Sequence, residues 1–126
     1  MRRSEKEITD RNELAAILRE AEVLRLAMMD GSSAYLVPVL YGFDGENLFF
    51  HSACEGRKID ILRKNPYVCF ECETDVSLKP SEDICRWSVH YRSVIGYGRV
   101  VFLHDPAEKC DAMEILLQHY AEPPFK

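Results

Sequence analysis

Long hydrophobic runs are absent from this chain of 126 residues. The longest stretch without a charged side chain covers residues 31–43, whereas a membrane-spanning helix needs about 18 or more apolar residues. The charged segment at residues 1–7 is not followed by the apolar core of a signal peptide. We therefore expect a cytoplasmic protein with no membrane partner.

An excess of basic charge is also absent. The chain has 16 Lys and Arg against 21 Asp and Glu, which gives a net charge of −5 at pH 7. General binding of nucleic acid or of an anionic membrane requires a basic face. We expect no nucleic-acid partner.

The cysteine pattern does not fit a disulfide framework or a metal site. Five is an odd number, and cytoplasmic thiols stay reduced. Cys69 and Cys72 lie in a predicted strand, where residues three apart point to opposite faces, and no second CxxC completes a zinc site. The glycine-rich dinucleotide motif, the nucleotide-hydrolase phosphate loop and the nucleophile elbow are also missing.

What is present fits one domain, residues 1–126. A helix is predicted after Asp10, which with Glu13 resembles a capping box. Apolar runs at residues 23–29, 34–41 and 48–52 are separated by turns containing Asp-Gly, which predicts a three-stranded antiparallel meander. Pro38 indicates an edge position or a bulge in the second strand, because proline cannot donate to a ladder.

The second half continues this mainly β pattern. We predict a short helix over residues 57–64, a strand over 67–74, a loop over 75–86 and a long strand over 88–103. Gly96 and Gly98 in the long strand fit strong coiling or the close approach of another group. Asp105 and Pro106 begin a final helix, whose predicted buried stripe is Met113, Leu116, Leu117 and Tyr120. The whole predicts a closed or nearly closed antiparallel barrel with flanking helices.

The segment Gly56-Arg57-Lys58 places two cations at a predicted helix N-terminus. That end already carries partial positive charge, so each cation there is unfavourable by ~0.3–1 kcal/mol. A bound anion would reverse the effect, since it would meet free N–H groups, a guanidinium and an ammonium together. The alternative is a pair of solvated surface cations partly compensated by Asp60.

Four segments carry a family resemblance: LFFHSA at residues 48–53, EGRKID at 55–60, NPYVCFE at 65–71 and YRSVIGYGR at 91–99. Together they resemble the pyridoxamine 5′-phosphate oxidase-like flavoproteins and, within them, the 5-nitroimidazole-resistance branch. The similarity extends over roughly residues 3–121. Members of the family usually continue past the last helix into a further strand, which this sequence does not contain.

The resemblance implies a Greek-key-like, FMN-binding split β-barrel that forms a homodimer with the flavin at the subunit interface. Arg57 and Lys58 would grip the FMN phosphate, and Arg92 and Ser93 would contact the flavin ring. The remaining implied contacts come from two strands. Phe50, His51 and Ser52, in the strand before the Arg-Lys pair, would contribute backbone and hydroxyl contacts, and Val37, Pro38 and Val39 would lie along the isoalloxazine ring.

The implied function is an FMN-dependent oxidoreductase that passes electrons from reduced nicotinamide to a small oxidised acceptor, for example a nitroaromatic. His51 is a candidate proton donor, because histidine exchanges protons near neutral pH. It is equally well explained as a structural hydrogen-bonding residue. Two alternatives to the enzyme stay open: a flavin- or haem-binding module without turnover, and a barrel that binds nothing.

Overall fold

The computed structural model describes residues 10–52 and 55–120. Its elements, in chain order, are α1 (Arg11–Glu20), β1 (Leu24–Asp30), β2 (Ser33–Val39), β3 (Tyr41–Phe43), β4 (Leu48–Phe50), α2 (Arg57–Lys64), β5 (Tyr67–Lys79), β6 (Ser88–Arg99) and α3 (Pro106–His119). Four strands form one antiparallel sheet in the order β2-β1-β5-β6, and β3 and β4 form a separate hairpin. The mainly antiparallel fold with flanking helices is confirmed, although the sheet does not close into a full barrel.

The predicted three-stranded meander is wrong in its second strand, whereas its second turn, over residues 43–47, is confirmed as the turn between β3 and β4. The run over residues 34–41 breaks at Leu40, so that β2 stays in the large sheet while β3 pairs with β4. Close packing against α3 explains the break, because a Cβ on Gly42 would lie 2.7 Å from the carbonyl oxygen of Ile115. Only glycine lets the backbones of β3 and α3 approach this closely. A tertiary contact therefore decides where β2 ends.

Pro38 lies in an edge strand, as predicted. Among the residues that the structure describes, strand β2 pairs with β1 alone, and Pro38 is opposite Arg25 in the register. The β1–β2 hairpin has a two-residue turn in which Gly31 has φ +63°. The pair that closes such a hairpin, here Asp30 and Ser33, exchanges hydrogen bonds. The pairs that follow alternate between non-bonded and hydrogen-bonded, beginning with a non-bonded pair, so that Arg25 and Pro38 form a non-bonded pair. Pro38 consequently occupies a position where β1 needs no donor from it.

The predicted loop over residues 75–86 is partly wrong, because β5 continues to Lys79. The ladder with β6 shifts register between Thr74 and Ser77, where Asp75 has φ +59°. Beyond this irregularity the two strands extend as a β arm, residues 74–92. The arm exposes Val76, Leu78, Ile84, Trp87, Val89 and Tyr91. The sequence pattern did not predict this part of the strand, because residues 75–79 are all exposed and show no alternation of buried and exposed positions.

The core consists of two groups of buried side chains. One group is Ile17, Leu18, Ala21, Leu24, Val39, Tyr41 and Cys72, and the other is Leu26, Met28, Ile61, Leu62 and Val68. Gly96 lies beneath the ring of Phe70, which confirms the predicted close approach at that glycine. The predicted stripe of α3 is half wrong: Leu116 is buried and Tyr120 is half-buried, whereas Met113 and Leu117 are exposed.

The other face of the large sheet, which we call the outer face, is mostly apolar and open. The register aligns Leu36, Ala27, Cys69 and Tyr97 in one row across its four strands. Leu36, Tyr67, Ile95 and Tyr97 are 61–82% exposed. A groove of about 590 Å³ runs along this face, lined among others by Ala27, Met29, Ala34, Tyr67, Cys69 and Tyr97. Within the described ranges, no helix has both the length and the apolar character needed to cross a membrane.

Candidate functional site

Helix α2 begins without a side-chain cap. Gly56 occupies the N-cap position with φ 131° and ψ 177°, and its carbonyl accepts the first helical hydrogen bond from the Asp60 N–H at 3.1 Å. A side chain would be strained at that φ, which explains the glycine. The N–H groups of the first turn carry partial positive charge and lack an intrahelical acceptor. This end of α2 is therefore suited to an anion.

Arg57 reaches back from α2 to the β1–β2 hairpin. Its guanidinium carbon lies 4.3 Å from the centroid of the Tyr35 ring, and Nη2 lies 3.6 Å from Oδ2 of Asp30. The two charged side chains are 58% and 45% exposed. Stacking on the ring restricts the plane of the guanidinium. Arg57 is thus held in place while much of it faces solvent.

Lys58 approaches the end of β4. The Lys58 ammonium is 5.9 Å from the centroid of the Phe50 ring, and Phe50 packs against both groups of core residues. His51, which is exposed, and Ser52, which is half-buried, follow Phe50 directly. Of the residues predicted to contact the cofactor, Phe50 and Lys58 thus lie close together, and His51 and Ser52 begin the connection between β4 and α2. Residues 53 and 54 of that connection lie outside the described residues.

Strand β2 offers main-chain groups rather than side chains to a ligand. Val37 packs against both groups of core residues and Val39 is buried, whereas Pro38 is exposed. By the hairpin alternation, the main-chain groups of Leu36 and Pro38 point away from β1. No strand covers that edge within the described part of the chain. A planar ligand placed there could accept or donate hydrogen bonds to the edge.

Arg92 and Ser93 are remote from this group within one chain. The Arg92 guanidinium is paired with carboxylates at 3.0 Å from Asp75, 3.4 Å from Glu13 and 3.7 Å from Glu20. It therefore ties α1 to the base of the β arm. Along β6, Arg92 precedes Gly98 by six residues, or about 20 Å of strand, and Gly98 pairs with Val68 near the end of the sheet that carries α2.

A second polar cluster, which we call the Tyr41 network, joins α1, β3 and α3. The buried Tyr41 hydroxyl donates to the carbonyls of Leu18 at 2.5 Å and Ala21 at 3.1 Å. Nε2 of His119 lies 2.7 Å from the same Ala21 oxygen. The Tyr120 hydroxyl accepts from the Tyr41 N–H at 3.0 Å and donates to the Glu22 carbonyl at 2.6 Å. Burial raises the pKa of Tyr41 well above its ordinary value, so the hydroxyl stays protonated and acts as a structural donor.

The described cysteines are free thiols: Cys69, Cys72, Cys85 and Cys110. Cys54 lies outside the described residues. Cys72 is fully buried, and this burial raises the pKa of its thiol to about 11. Across residues 10–52 and 55–120, no three His, Cys, Asp or Glu side chains are arranged to hold a metal ion.

Sequence reasoning missed Asp30 and Tyr35, which contact Arg57. Tyr35 precedes Val37 by two residues, so strand alternation puts both on one face. That signal could have linked Tyr35 to the predicted site. No local signal could have identified Asp30, because its contact depends on how α2 packs near the hairpin turn.

The family model for pyridoxamine 5′-phosphate oxidase matches residues 10–126. The chain belongs to the pyridoxamine 5′-phosphate oxidase family. This result confirms the resemblance recognised in the sequence. A comparison with curated proteins found no match.

Two solved structures are similar in both sequence and fold. A protein from Bacteroides thetaiotaomicron, provisionally described as a 5-nitroimidazole antibiotic resistance protein, is 29% identical with a TM-score of 0.80, and the match covers 94% of this chain and 71% of that one. An FAD-binding protein from Mesorhizobium loti is 25% identical with a TM-score of 0.67, over 91% of this chain and 80% of that one.

Two more distant structures share the fold alone. A flavocytochrome from Azotobacter vinelandii is 17% identical with a TM-score of 0.76, and an FAD- and haem-binding protein from Mycobacterium smegmatis is 16% identical with a TM-score of 0.80. The matches cover 93% and 92% of this chain. This chain spans only 58% and 56% of the length of those two proteins.

Proposed function

We propose that this protein binds FMN and that Arg57, Lys58 and the N-terminus of α2 hold the phosphate. The observation that carries this proposal is the pair of cations stacked on Tyr35 and Phe50 beside a helix start that has no side-chain cap. Such a start favours a phosphate through both its N–H groups and its dipole. Arginine adds a planar fork of donors and lysine adds a compact charge.

The ring of the flavin would lie along the free edge of β2. Pro38 and its neighbour Leu36 turn main-chain groups toward that edge, whereas Val37 and Val39 contribute by keeping the strand anchored in the core. His51 and Ser52 would contact the cofactor between its ring and its phosphate. A phosphate anchor at α2 and a main-chain contact along β2 fit an elongated ligand with one anionic end.

When bound, FMN would supply the redox chemistry, accepting a hydride from reduced nicotinamide and passing electrons to a second substrate. The residues of the chain would bind the cofactor and orient the substrates. His51, which is exposed next to the proposed ring site, would hold and deliver a proton to a small oxidised acceptor such as a nitroaromatic. The similarity to the Bacteroides protein supports this acceptor class, and the similarity to the Mesorhizobium protein supports a flavin.

Calorimetric titration with FMN and with riboflavin tests the phosphate assignment. FMN should bind more tightly, because riboflavin lacks the group that meets Arg57. Replacing Arg57 by Ala should weaken FMN binding by about 10–150-fold, or roughly 1.5–3 kcal/mol, and leave riboflavin binding nearly unchanged. Arg63→Ala is the matched control, since Arg63 lies on the same helix and stacks on Phe102 at 5.8 Å.

Equal affinity of the wild-type protein for FMN and riboflavin would contradict the assignment. The visible spectrum of the purified protein separates the alternatives. Flavin bands are expected, whereas a haem Soret band or a colourless protein would favour the haem-binding module or the barrel without a ligand.

We further propose that the protein is a homodimer formed through the outer face. Leu36, Tyr67, Ile95 and Tyr97 form an exposed apolar patch on one sheet face, and such patches often mark interfaces. A second copy would cover it. Ser93, which shares the outer face with Ile95 and Tyr97, would then lie toward the partner subunit, whereas the Arg92 side chain points to the opposite face, toward α1.

Sedimentation of the FMN-loaded protein tests the dimer. The wild type should sediment as a dimer, and Tyr97→Glu should produce monomer, because a charge would be buried in the interface. Val101→Glu is the control, since Val101 is similarly exposed but lies after β6. A wild-type protein that sediments only as a monomer would overturn the proposal.

A further inference from the structure

Asp30 is the anion that Arg57 contacts within its own chain. It ends β1 at the hairpin turn, and its Oδ2 lies 3.6 Å from Nη2 of Arg57. Both side chains are about half exposed, so the pair is weak and can exchange with another anion. The Tyr35 ring holds the guanidinium independently of Asp30, at 4.3 Å from its centroid. Arg57 would therefore stay in place if Asp30 were displaced.

We propose that Asp30 is a selectivity residue that competes with the bound phosphate for Arg57. The inference rests on the proposed function, because it assumes that a phosphate reaches Arg57. Asp30 keeps one negative charge beside the guanidinium, so a monoanion that approaches gains little by replacing it. A phosphate dianion carries more charge and more acceptor oxygens, and it also meets Lys58 and the helix N-terminus. Asp30 thus weakens the binding of monoanions to Arg57, and it also lowers the affinity for the phosphate itself.

Replacing Asp30 by asparagine separates the effect of the negative charge from any effect on the fold. Asp30 is the last residue of β1 and pairs with Ser33 across the two-residue turn, and asparagine differs from aspartate only by an amide in place of the carboxylate. Asp30→Asn therefore removes the carboxylate with almost no change of shape. Asp30→Ser is a second neutral variant, which keeps the test available if the asparagine variant folds poorly.

The test is the FMN and riboflavin affinity of each variant at two chloride concentrations. Asp30→Asn should bind FMN about threefold to tenfold more tightly at low chloride, because a like charge near the phosphate is gone. Its riboflavin affinity should not change. The gain should shrink at high chloride, since chloride can now occupy Arg57. Glu82→Gln, which removes one carboxylate at the exposed tip of the β arm, should match the wild type.

The outcomes separate this inference from the proposed function. If the wild type binds FMN no better than riboflavin, the proposed function fails. If the wild type prefers FMN but both neutral variants bind it equally well or more weakly, the competition is overturned while the phosphate site stands. A parallel gain for riboflavin also overturns the competition, because the charge of Asp30 would then act elsewhere.

Discussion

The Tyr41 network differs from the segment between β4 and the first turn of α2, which we call the Arg57 connection, in where its polar groups find their partners. In the network, a buried hydroxyl donates to main-chain carbonyls of α1, and His119 and Tyr120 of α3 complete the bonding from the other side. In the Arg57 connection, the cations face aromatic rings and one exposed carboxylate. One region has its polar partners inside the chain, and the other still has donors to offer.

The difference separates stability from binding. A buried polar group must be paired within the protein, because leaving it unpaired costs about 1–3 kcal/mol. An exposed guanidinium or a helix start has water as an alternative partner, so it can stay available at little cost. We therefore expect changes in the Tyr41 network to alter the free energy of unfolding and changes in the Arg57 connection to alter ligand binding or turnover.

The largest effect is expected from His51→Ala, in the Arg57 connection. If His51 delivers a proton, the variant should reduce the acceptor about 10²–10⁴-fold more slowly. FMN affinity and reduction by nicotinamide should change much less, because they depend mainly on positioning. Stopped-flow measurement of the two half-reactions checks this, with His104→Ala as the exposed control.

Two results would revise the role of His51. Loss of flavin from the variant would make it a binding residue. Unchanged turnover would make it structural.

Tyr41→Phe tests the contribution of the Tyr41 network to stability. The variant keeps the ring but removes the donor to the Leu18 and Ala21 carbonyls, so the free energy of unfolding should fall by about 1–3 kcal/mol. FMN affinity should stay the same. Urea unfolding followed by flavin titration measures both quantities, and Tyr91→Phe, at an exposed position of the β arm, should leave stability unchanged. A variant that loses FMN affinity at unchanged stability would break the comparison.

Alkaline pH should lower the free energy of unfolding through Cys72, which is buried in the same group of core residues as Tyr41. In the unfolded chain this thiol loses its proton near pH 9, whereas burial raises its pKa to about 11 in the folded protein. The stabilisation is complete below pH 9 and declines as the pH rises from about 9 to about 11, by on the order of 2 kcal/mol. The raised pKa of Tyr41 acts in the same direction at higher pH.

Unfolding free energies measured across this pH range give the slope. Cys72→Ala should flatten it, and Cys110→Ala, at an exposed position, should not. An equal slope in the wild type and in Cys72→Ala would show that another group controls alkaline stability.

The smallest effect is expected from Lys58→Ala. An ammonium contributes one compact charge to a phosphate, whereas Arg57 can donate two parallel hydrogen bonds. FMN binding should weaken about threefold to tenfold, or roughly 1 kcal/mol. Lys64→Ala, at the other end of the same helix, is the control. A loss larger than that of Arg57→Ala would reverse the proposed ranking of the two cations.

Local signals in the sequence determined the ends of the helices and the character of most strands. Asp10 and Asp105 accept hydrogen bonds from Asn12 and Ala107 as N-caps, and α2 runs over the predicted residues 57–64. These signals act over a few residues, so they can be read without knowing the fold. The family was also evident from the order of its motifs.

Only the tertiary structure decided which elements pair and which charges meet. The sequence does not indicate that Gly42 would send β3 beneath α3, that β5 would extend past Asp75, or that Arg92 would pair with carboxylates of α1. At the candidate site, the cations were foreseen, but Tyr35 and Asp30 were not. Each of these contacts joins residues far apart in the chain, and their partners are selected by packing of the whole core rather than by neighbours in sequence.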